Sequence, residues 1–286
     1  MAKGLAICTL GVALATLSIA SAQTYTTVDY PGAIATTLNG GPNPQGTDIG
    51  SYTDTSGVTH GFTLKKGVFT SFDPPGSTAT TPNWISPQGV IVGQYIDASG
   101  VSHGFILAGV NYTTVDFAGA AGTVLTSLNP SGQYSGYSCD VASCASGATH
   151  SFVISKKGVF TSFDPPGAIS SVAVTVIASG AIFGSYTDSG GVGHGYLLYH
   201  GNYTTIDFPG AIFTFVGGAN PEGVGVGEYV DTAGVAHSFM VSNHIFTSFD
   251  PPGAVLSDAA GINPSNAIVG IYEDSAGGFH GYIRTP

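Results

Sequence analysis

The chain has 286 residues, only 8% of them charged, with 43 glycines and a formal net charge of −11. Six Lys and Arg against 17 Asp and Glu cannot supply the clustered cations that phosphate binding needs. Nucleic acid is excluded as a partner, and anionic membranes are disfavoured.

Residues 1–22 read as a secretory leader. Lys3 gives a positive start, 5–19 is mostly apolar, and Ala20-Ser21-Ala22 forms a small-residue cleavage site. No later stretch is long enough to span a bilayer. The expected product is a secreted monomer, extracellular or periplasmic, without membrane insertion, occupying 23–286 as one domain. Two cysteines remain beyond the leader, Cys139 and Cys144, and in an oxidising compartment they should close a small loop disulfide.

The mature chain opens on Thr24-Tyr25-Thr26-Thr27-Val28-Asp29, and the rest repeats it. Asp-x-Pro-Gly or a near copy recurs at Asp29, Asp73, Asp116, Asp164, Asp207 and Asp250, with gaps of 44, 43, 48, 43 and 43 residues. His-Gly-Phe or a variant keeps step at His60, His103, His150, His194, His237 and His280. A fixed period near 43 in a Gly-, Thr- and aromatic-rich chain marks small β units. In the second unit, 77–85 is a strand closed by the turn Ser86-Pro87-Gln88-Gly89. A second strand, 90–96, ends at Asp97-Ala98-Ser99-Gly100, which suits a three-residue hairpin with Gly in the left-handed position. A third strand is expected at 101–107 and a fourth at 112–116. The chain begins with a lone fourth strand and ends with strands one to three of a last unit. The predicted fold is therefore all-β: a six-bladed β-propeller of four-stranded antiparallel blades, closed by the N-terminal strand completing the C-terminal blade.

The cycle Asn-Pro-x-Gly, Ile-Val-Gly-x-Tyr, Asp-x-x-Gly-Val-x-His-Gly-Phe, Phe-Thr-x-x-Asp-x-Pro-Gly-Ala resembles the bacterial extracellular repeats of the HAF type, across nearly the whole mature chain. This chain carries His-Gly-Phe or His-Ser-Phe where the family name implies His-Ala-Phe. The resemblance implies an exported repeat protein and brings no catalytic residues with it.

Hairpin register sets Tyr95 opposite His103, and the pair recurs as Tyr52–His60, Tyr186–His194, Tyr229–His237 and Tyr272–His280; unit three has Ser138 in place of the Tyr. A hydroxyl residue follows each Asp-x-x-Gly aspartate by seven or eight positions: Thr37, Thr80, Thr123, Ser171, Thr214 and Ser257. These side chains converge at one end of each blade, so Asp116, Thr80, Tyr95 and His103 form one expected network. Asp, His and a hydroxyl also suit a catalytic triad. Catalysis needs one such set, whereas bracing needs one per blade, so six copies favour a structural network of buried polar groups. WD-repeat propellers use a similar set.

Twelve of the 17 acids occupy two repeated turn positions on one face, and Lys65, Lys66, Lys156 and Lys157 lie in turns of the opposite face. Asp before Pro or Gly commonly caps its own turn. No compact Asp-x-Asp-x-Asp loop is present, so no cofactor is expected beyond weak Ca2+ attraction, and the metal ligands stay unassigned. Function is expected where the repeats break. The binding candidates are Trp84, Tyr137, Asp140, Glu228, Asp258 and Glu273. Trp84 is the only tryptophan, placed near the axis to stack on a sugar or plug the channel. Glu222, Glu228 and Glu273 are the only glutamates and form no obvious acid/base pair. The expected function is a non-catalytic secreted binding module for carbohydrate or an envelope protein, with a hydrolase or lyase acting at the channel mouth as the alternative.

Overall fold

The computed structural model describes residues 23–286, and the expected leader lies outside them. The described residues form 24 strands and no α-helix, so no helix among them is long and apolar enough to cross a membrane. β1 (Thr24–Val28) stands alone at the start. The first full set is β2 (Ala35–Gly40), β3 (Thr47–Thr53), β4 (Thr59–Lys65) and β5 (Val68–Phe72). The second is β6 (Ser77–Ile85), β7 (Ile91–Asp97), β8 (Ser102–Ala108) and β9 (Asn111–Val115), within one residue of the expected strands. β10 (Gly122–Leu128), β11 (Tyr134–Cys139), β12 (Thr149–Ile154) and β13 (Phe160–Phe163) make the third. The fourth is β14 (Ala168–Val176), β15 (Ile182–Asp188), β16 (Gly193–Tyr199) and β17 (Asn202–Ile206). The fifth is β18 (Phe213–Ala219), β19 (Gly225–Val230), β20 (Ala236–Ser242) and β21 (Ile245–Phe249). β22 (Ala254–Ile262), β23 (Ile268–Asp274) and β24 (Phe279–Thr285) end the chain.

Within each set, consecutive strands pair antiparallel. β1 pairs antiparallel with β24, from Thr24 opposite Thr285 to Val28 opposite Gly281. The first strand thus takes the fourth place in the last sheet, which meets the first sheet at one parallel bridge, Ala35 to Phe279. First strands contact one another in series, including β22 against β2. Turn asparagines tie the series together through Nδ2. Asn43 donates to Ser86 O, Asn129 to Ile177 O, Asn220 to Asn263 O, and Asn263 to Pro42 O across 221 residues of sequence.

Two repeated words are explained by one contact. A Cβ on Gly93 would lie 2.2 Å from Thr81 O and 2.9 Å from the ring of Phe105. The glycine of Ile-Val-Gly-x-Tyr is where the aromatic of His-Gly-Phe lies flat on the sheet. Phe62, Phe105, Phe152, Tyr196, Phe239 and Tyr282 all occupy this place and are fully buried. Each such ring contributes about 1.5–3 kcal/mol of hydrophobic stabilisation.

Departures from His-Gly-Phe follow a rule. Where the middle residue is Gly104, its surroundings are Leu125 and Val115 O, and the next sheet carries Phe152. Where it is Ser151, its hydroxyl meets Ser171 Oγ at 2.6 Å and Tyr196 OH, from the next sheet, at 3.1 Å. Ser238 repeats this with Ser257 and Tyr282. Both tyrosines are sealed in the core, and the serine satisfies the hydroxyl that would otherwise be orphaned there.

Candidate functional site

One end of every sheet carries a histidine held by two aspartates. Tyr95 pairs with His103 across β7 and β8 as expected, and their rings stack with centroids 5.1 Å apart. His103 Nδ1 is 2.9 Å from Asp116 Oδ1, and Nε2 is 3.5 Å from Asp97 Oδ2. The same double contact holds at His60, His150, His194, His237 and His280. The strongest cause, hydrogen bonding to Asp73 and Asp29, raises the pKa of His60 and His280 respectively.

The hydroxyl expected in this network joins it in two units only, through Ser171 and Ser257. Thr80 contacts Ser77 Oγ instead of His103, and in the first unit the equivalent residue is Thr36, not Thr37. What the hydroxyl does depends on the residue after the aspartate. Thr36, Thr123 and Thr214 accept from the N–H of Tyr30, Phe117 and Phe208. In Asp-Pro-Pro-Gly units proline offers no N–H, and Ser171 and Ser257 donate to Asp164 and Asp250 instead. The rim is also more open than the expected buried network: the side chain of Asp116 is 51% exposed.

The hairpin aspartates cap their own turns. Asp97 Oδ1 accepts from Ser99 N at 2.8 Å and Val101 N at 2.9 Å, and Asp54, Asp188, Asp231 and Asp274 do the same. Backbone donors hold all five carboxyls below the usual range. Among the described residues, no group of three or more His, Cys, Asp or Glu is arranged to hold a metal ion.

Unit three departs from this pattern. Cys139 and Cys144 are disulfide-bonded, with Cα atoms 5.4 Å apart. Ser138 replaces the stacking tyrosine, and the side chain of His150 is 41% exposed, against 20% for His103. Asp140 sits on this open rim, 3.7 Å from His150.

The cavity where the first strands meet is built differently. Every first strand carries a β-bulge in its second half, at Asn39, Asn83, Thr126, Val174, Gly217 and Ala260. A bulge re-aims its extra side chain, and all six line one cavity of about 310 Å3. Half of the ring is polar. Asn39 Nδ2 donates to Pro82 O, Asn83 Nδ2 to Leu125 O, and Thr126 Oγ1 to Ala173 O.

Trp84, Tyr137 and Asp258 line the same cavity. Trp84 also lines the adjoining apolar mouth, whose rim includes Pro42, Pro87, Pro130, Pro221 and Pro264. Burial pushes the Tyr137 hydroxyl up to about 12. Asp258 holds a place that is Thr37, Thr81, Val124, Val172 or Phe215 in the other sheets. It keeps some surface in the channel, yet its Oδ1 is sealed without a hydrogen-bond partner, as is Trp84 Nε1. Burial, then repulsion from Glu228, pushes its pKa up to about 7. Glu228 on β19 is itself raised by burial. Asp258 and Glu228 thus influence each other electrostatically, a pairing of an aspartate with a glutamate that the sequence expectation for the three glutamates did not cover. Its members come from different sheets, 30 residues apart in the chain. Glu273 faces Leu256 and Phe279 in the last sheet, and neither it nor Asp140 lines the cavity.

The sequence also gave no prominence to Asp48. It is buried with Oδ1 unpartnered, and its pKa is raised to about 6. The signal was available, because isoleucine stands at the matching positions 91, 182 and 268.

No protein-family model and no curated protein matches the chain. Solved structures do. A virginiamycin B lyase from Staphylococcus aureus, crystallised with quinupristin, is similar at a TM-score of 0.55 and 10% identity, covering 92% of this chain and 99% of that one. A putative TolB from Agrobacterium tumefaciens gives 0.60 at 12% identity, covering 87% and 90%. The Aleuria aurantia fucose lectin, a six-bladed β-propeller, gives 0.52 at 11% identity, covering 86% and 90%. At such identities the likeness speaks for fold alone: this is an all-β chain of four-stranded antiparallel sheets with β-propeller neighbours.

Proposed function

We propose that the chain is a secreted, non-catalytic binding module that takes a small ligand in the axial channel of a six-bladed propeller closed by its N-terminal strand. The blade count is supported by 24 strands in fours, and the closure by the β1–β24 pairing. Secretion is supported by the disulfide, the leader-like 1–22 and the HAF-type resemblance. The observation that carries the binding reading is the contrast in the polar groups. The repeated rim aspartates bond their own amides and histidines, whereas Asp258 Oδ1 and Trp84 Nε1 in the channel wall have no partner. Both residues line the cavity, so a ligand seated there meets a carboxyl and an indole whose hydrogen bonding the fold leaves incomplete. Glycan is the favoured class, since Trp84 offers a stacking face, and lectins occur among proteins of similar fold. An array of glycans should yield a ligand whose affinity falls at least tenfold in Trp84→Ala. Binding indifferent to that change would move the site off the axis.

A hydrolase or lyase remains the second reading, favoured by one observation. Asp258, beside Glu228, exchanges its proton near neutrality, as a general acid or base must. Turnover of glycosides, esters or lactones that disappears in Asp258→Asn would establish it over the binding module.

A further inference from the structure

Resting on the channel-binding reading, we infer that the ligand carries a protonated amine, as an amino sugar does, and that Asp258 is its counter-ion. The walls present the acceptors of Asn39, Asn83 and Asp258, and their uncommitted donors, among them Trp84 Nε1, are all neutral. Only an NH2 can bond a carbonyl oxygen, so the contacts of Asn39 with Pro82 O and of Asn83 with Leu125 O fix both amides with nitrogen toward the neighbouring strand. Their oxygens are left as the free ends. The Thr126 proton is committed to Ala173 O at 2.6 Å. No Lys, Arg or His lines the cavity.

Asp258 meets no protein cation in this setting, and the charged group that faces it is Glu228 from β19. Tyr282 on β24 also feels Asp258, but its hydroxyl is raised by burial and stays neutral, as does that of Tyr137. A buried carboxylate without a partner is costly, and a ligand ammonium removes that cost for Asp258 and relieves its repulsion with Glu228. Trp84, Tyr137 and Phe215 supply aromatic surface suited to a cation and to the apolar face of a sugar ring. At about 310 Å3 the cavity stands at the low end of the roughly 300–1,000 Å3 typical of ligand sites, which fits one sugar ring.

The sole tryptophan gives the readout. Trp84 fluorescence, checked by calorimetry, should be titrated on the mature chain with glucosamine, glucose, N-acetylglucosamine and ethanolamine. Glucosamine should bind at least tenfold tighter than glucose or N-acetylglucosamine. The affinity for ethanolamine, which stays protonated throughout, should rise severalfold from pH 6 to pH 8 as Asp258 ionises. Asp258→Asn should abolish the amine preference, and Glu228→Gln should weaken it. The pH series uses the unaltered chain, so it decides even if a variant fails to fold. Equal binding of glucose and glucosamine, independent of pH, would overturn the amine inference while leaving the channel as a binding site. A neutral glycan that binds and depends on Trp84, with no amine binding at all, would do the same. Catalytic turnover would instead overturn the binding-module reading.

Discussion

The rim and the channel use the same carboxyl chemistry to opposite ends. On the rim, six copies of one arrangement give each histidine two aspartates, and five of the hairpin aspartates also accept two backbone amides. At the axis, Asp258 occurs once and its Oδ1 accepts nothing. Five hairpin carboxyls on the rim are held below their usual pKa by backbone donors, and Asp258 is pushed above it by burial. The repeated carboxyls are satisfied, whereas the unrepeated Asp258 and Asp48 each keep an oxygen without a partner. The groups that brace the rim are completed by the fold, whereas Asp258 lines the cavity with its hydrogen bonding incomplete.

The sharpest way to break this comparison is to remove the scaffold common to both regions. Gly93→Ala forces a methyl onto the backbone of a channel-lining strand at Thr81 O. Thermal or urea unfolding should show a loss of about 3 kcal/mol, the upper end of overpacking costs. A loss under 1 kcal/mol would mean that the strands shift easily and the channel geometry is soft.

Next in size is a change of sign. Asp258→Asn at pH 8 should stabilise the ligand-free protein by roughly 1–3 kcal/mol, because it deletes a carboxylate that folding disfavours. Asp97→Asn on the rim should destabilise. Urea midpoints of the two variants moving in the same direction would dissolve the distinction.

The dependence on pH sharpens it further. His60 and His280 have raised folded pKa values, so their contribution is complete below about 6.5 and fades as pH rises through the folded values. The lowered hairpin aspartates lose theirs as pH falls below about 3.8 through the folded values. Asp258 is raised, so its burial is tolerated below about 3.8 and becomes unfavourable as pH climbs toward 7. Stability should therefore peak between about pH 4 and 6, and Asp258→Asn should flatten the fall from 4 to 7. A maximum above pH 7 in the unaltered chain would contradict the assignments of the histidines and of Asp258, and unchanged stability below about pH 3.8 would contradict that of the hairpin aspartates.

Smaller effects belong to single rim members. His103→Ala and His194→Ala should each cost under about 1 kcal/mol, and equally, since exposed ion pairs contribute little. Unequal losses would give one blade a role beyond bracing. We propose no more than weak cation attraction to this face, so millimolar calcium against EDTA should move the melting temperature by less than about 2 °C.

The strand grammar was legible because the period, the Asp-x-x-Gly hairpins and the alternation of side chains are local signals. They place Tyr95 opposite His103 and each strand of the second sheet within a residue. The partner of Thr80 was not legible, because a hydroxyl seven residues from an aspartate can accept or donate, and the presence of proline decides which. The first-strand bulges were hidden as well: they lie where the first strands meet at one cavity, and residues as different as Asn39 and Gly217 share the position. Trp84 could be placed near the axis because it lies late in a first strand. Asp258 stood out only as an acid away from the repeated turns. Its encounter with Glu228 needed the stacking of neighbouring sheets.

The serine–serine–tyrosine contacts have a consequence for how such a chain can be rearranged. Ser151 faces Tyr196 and Ser238 faces Tyr282, while Gly61, Gly104, Gly195 and Gly281 precede sheets carrying phenylalanine. Each junction therefore has a matched lock and key, and the units are not interchangeable bricks. Transplanting the unit of Tyr196 behind a glycine-bearing unit would strand a buried phenol, and placing a phenylalanine unit behind Ser151 would leave that hydroxyl short of a partner. Engineers who permute or multiply these units would need to move them as adjacent pairs, cutting only at the junctions where glycine meets phenylalanine.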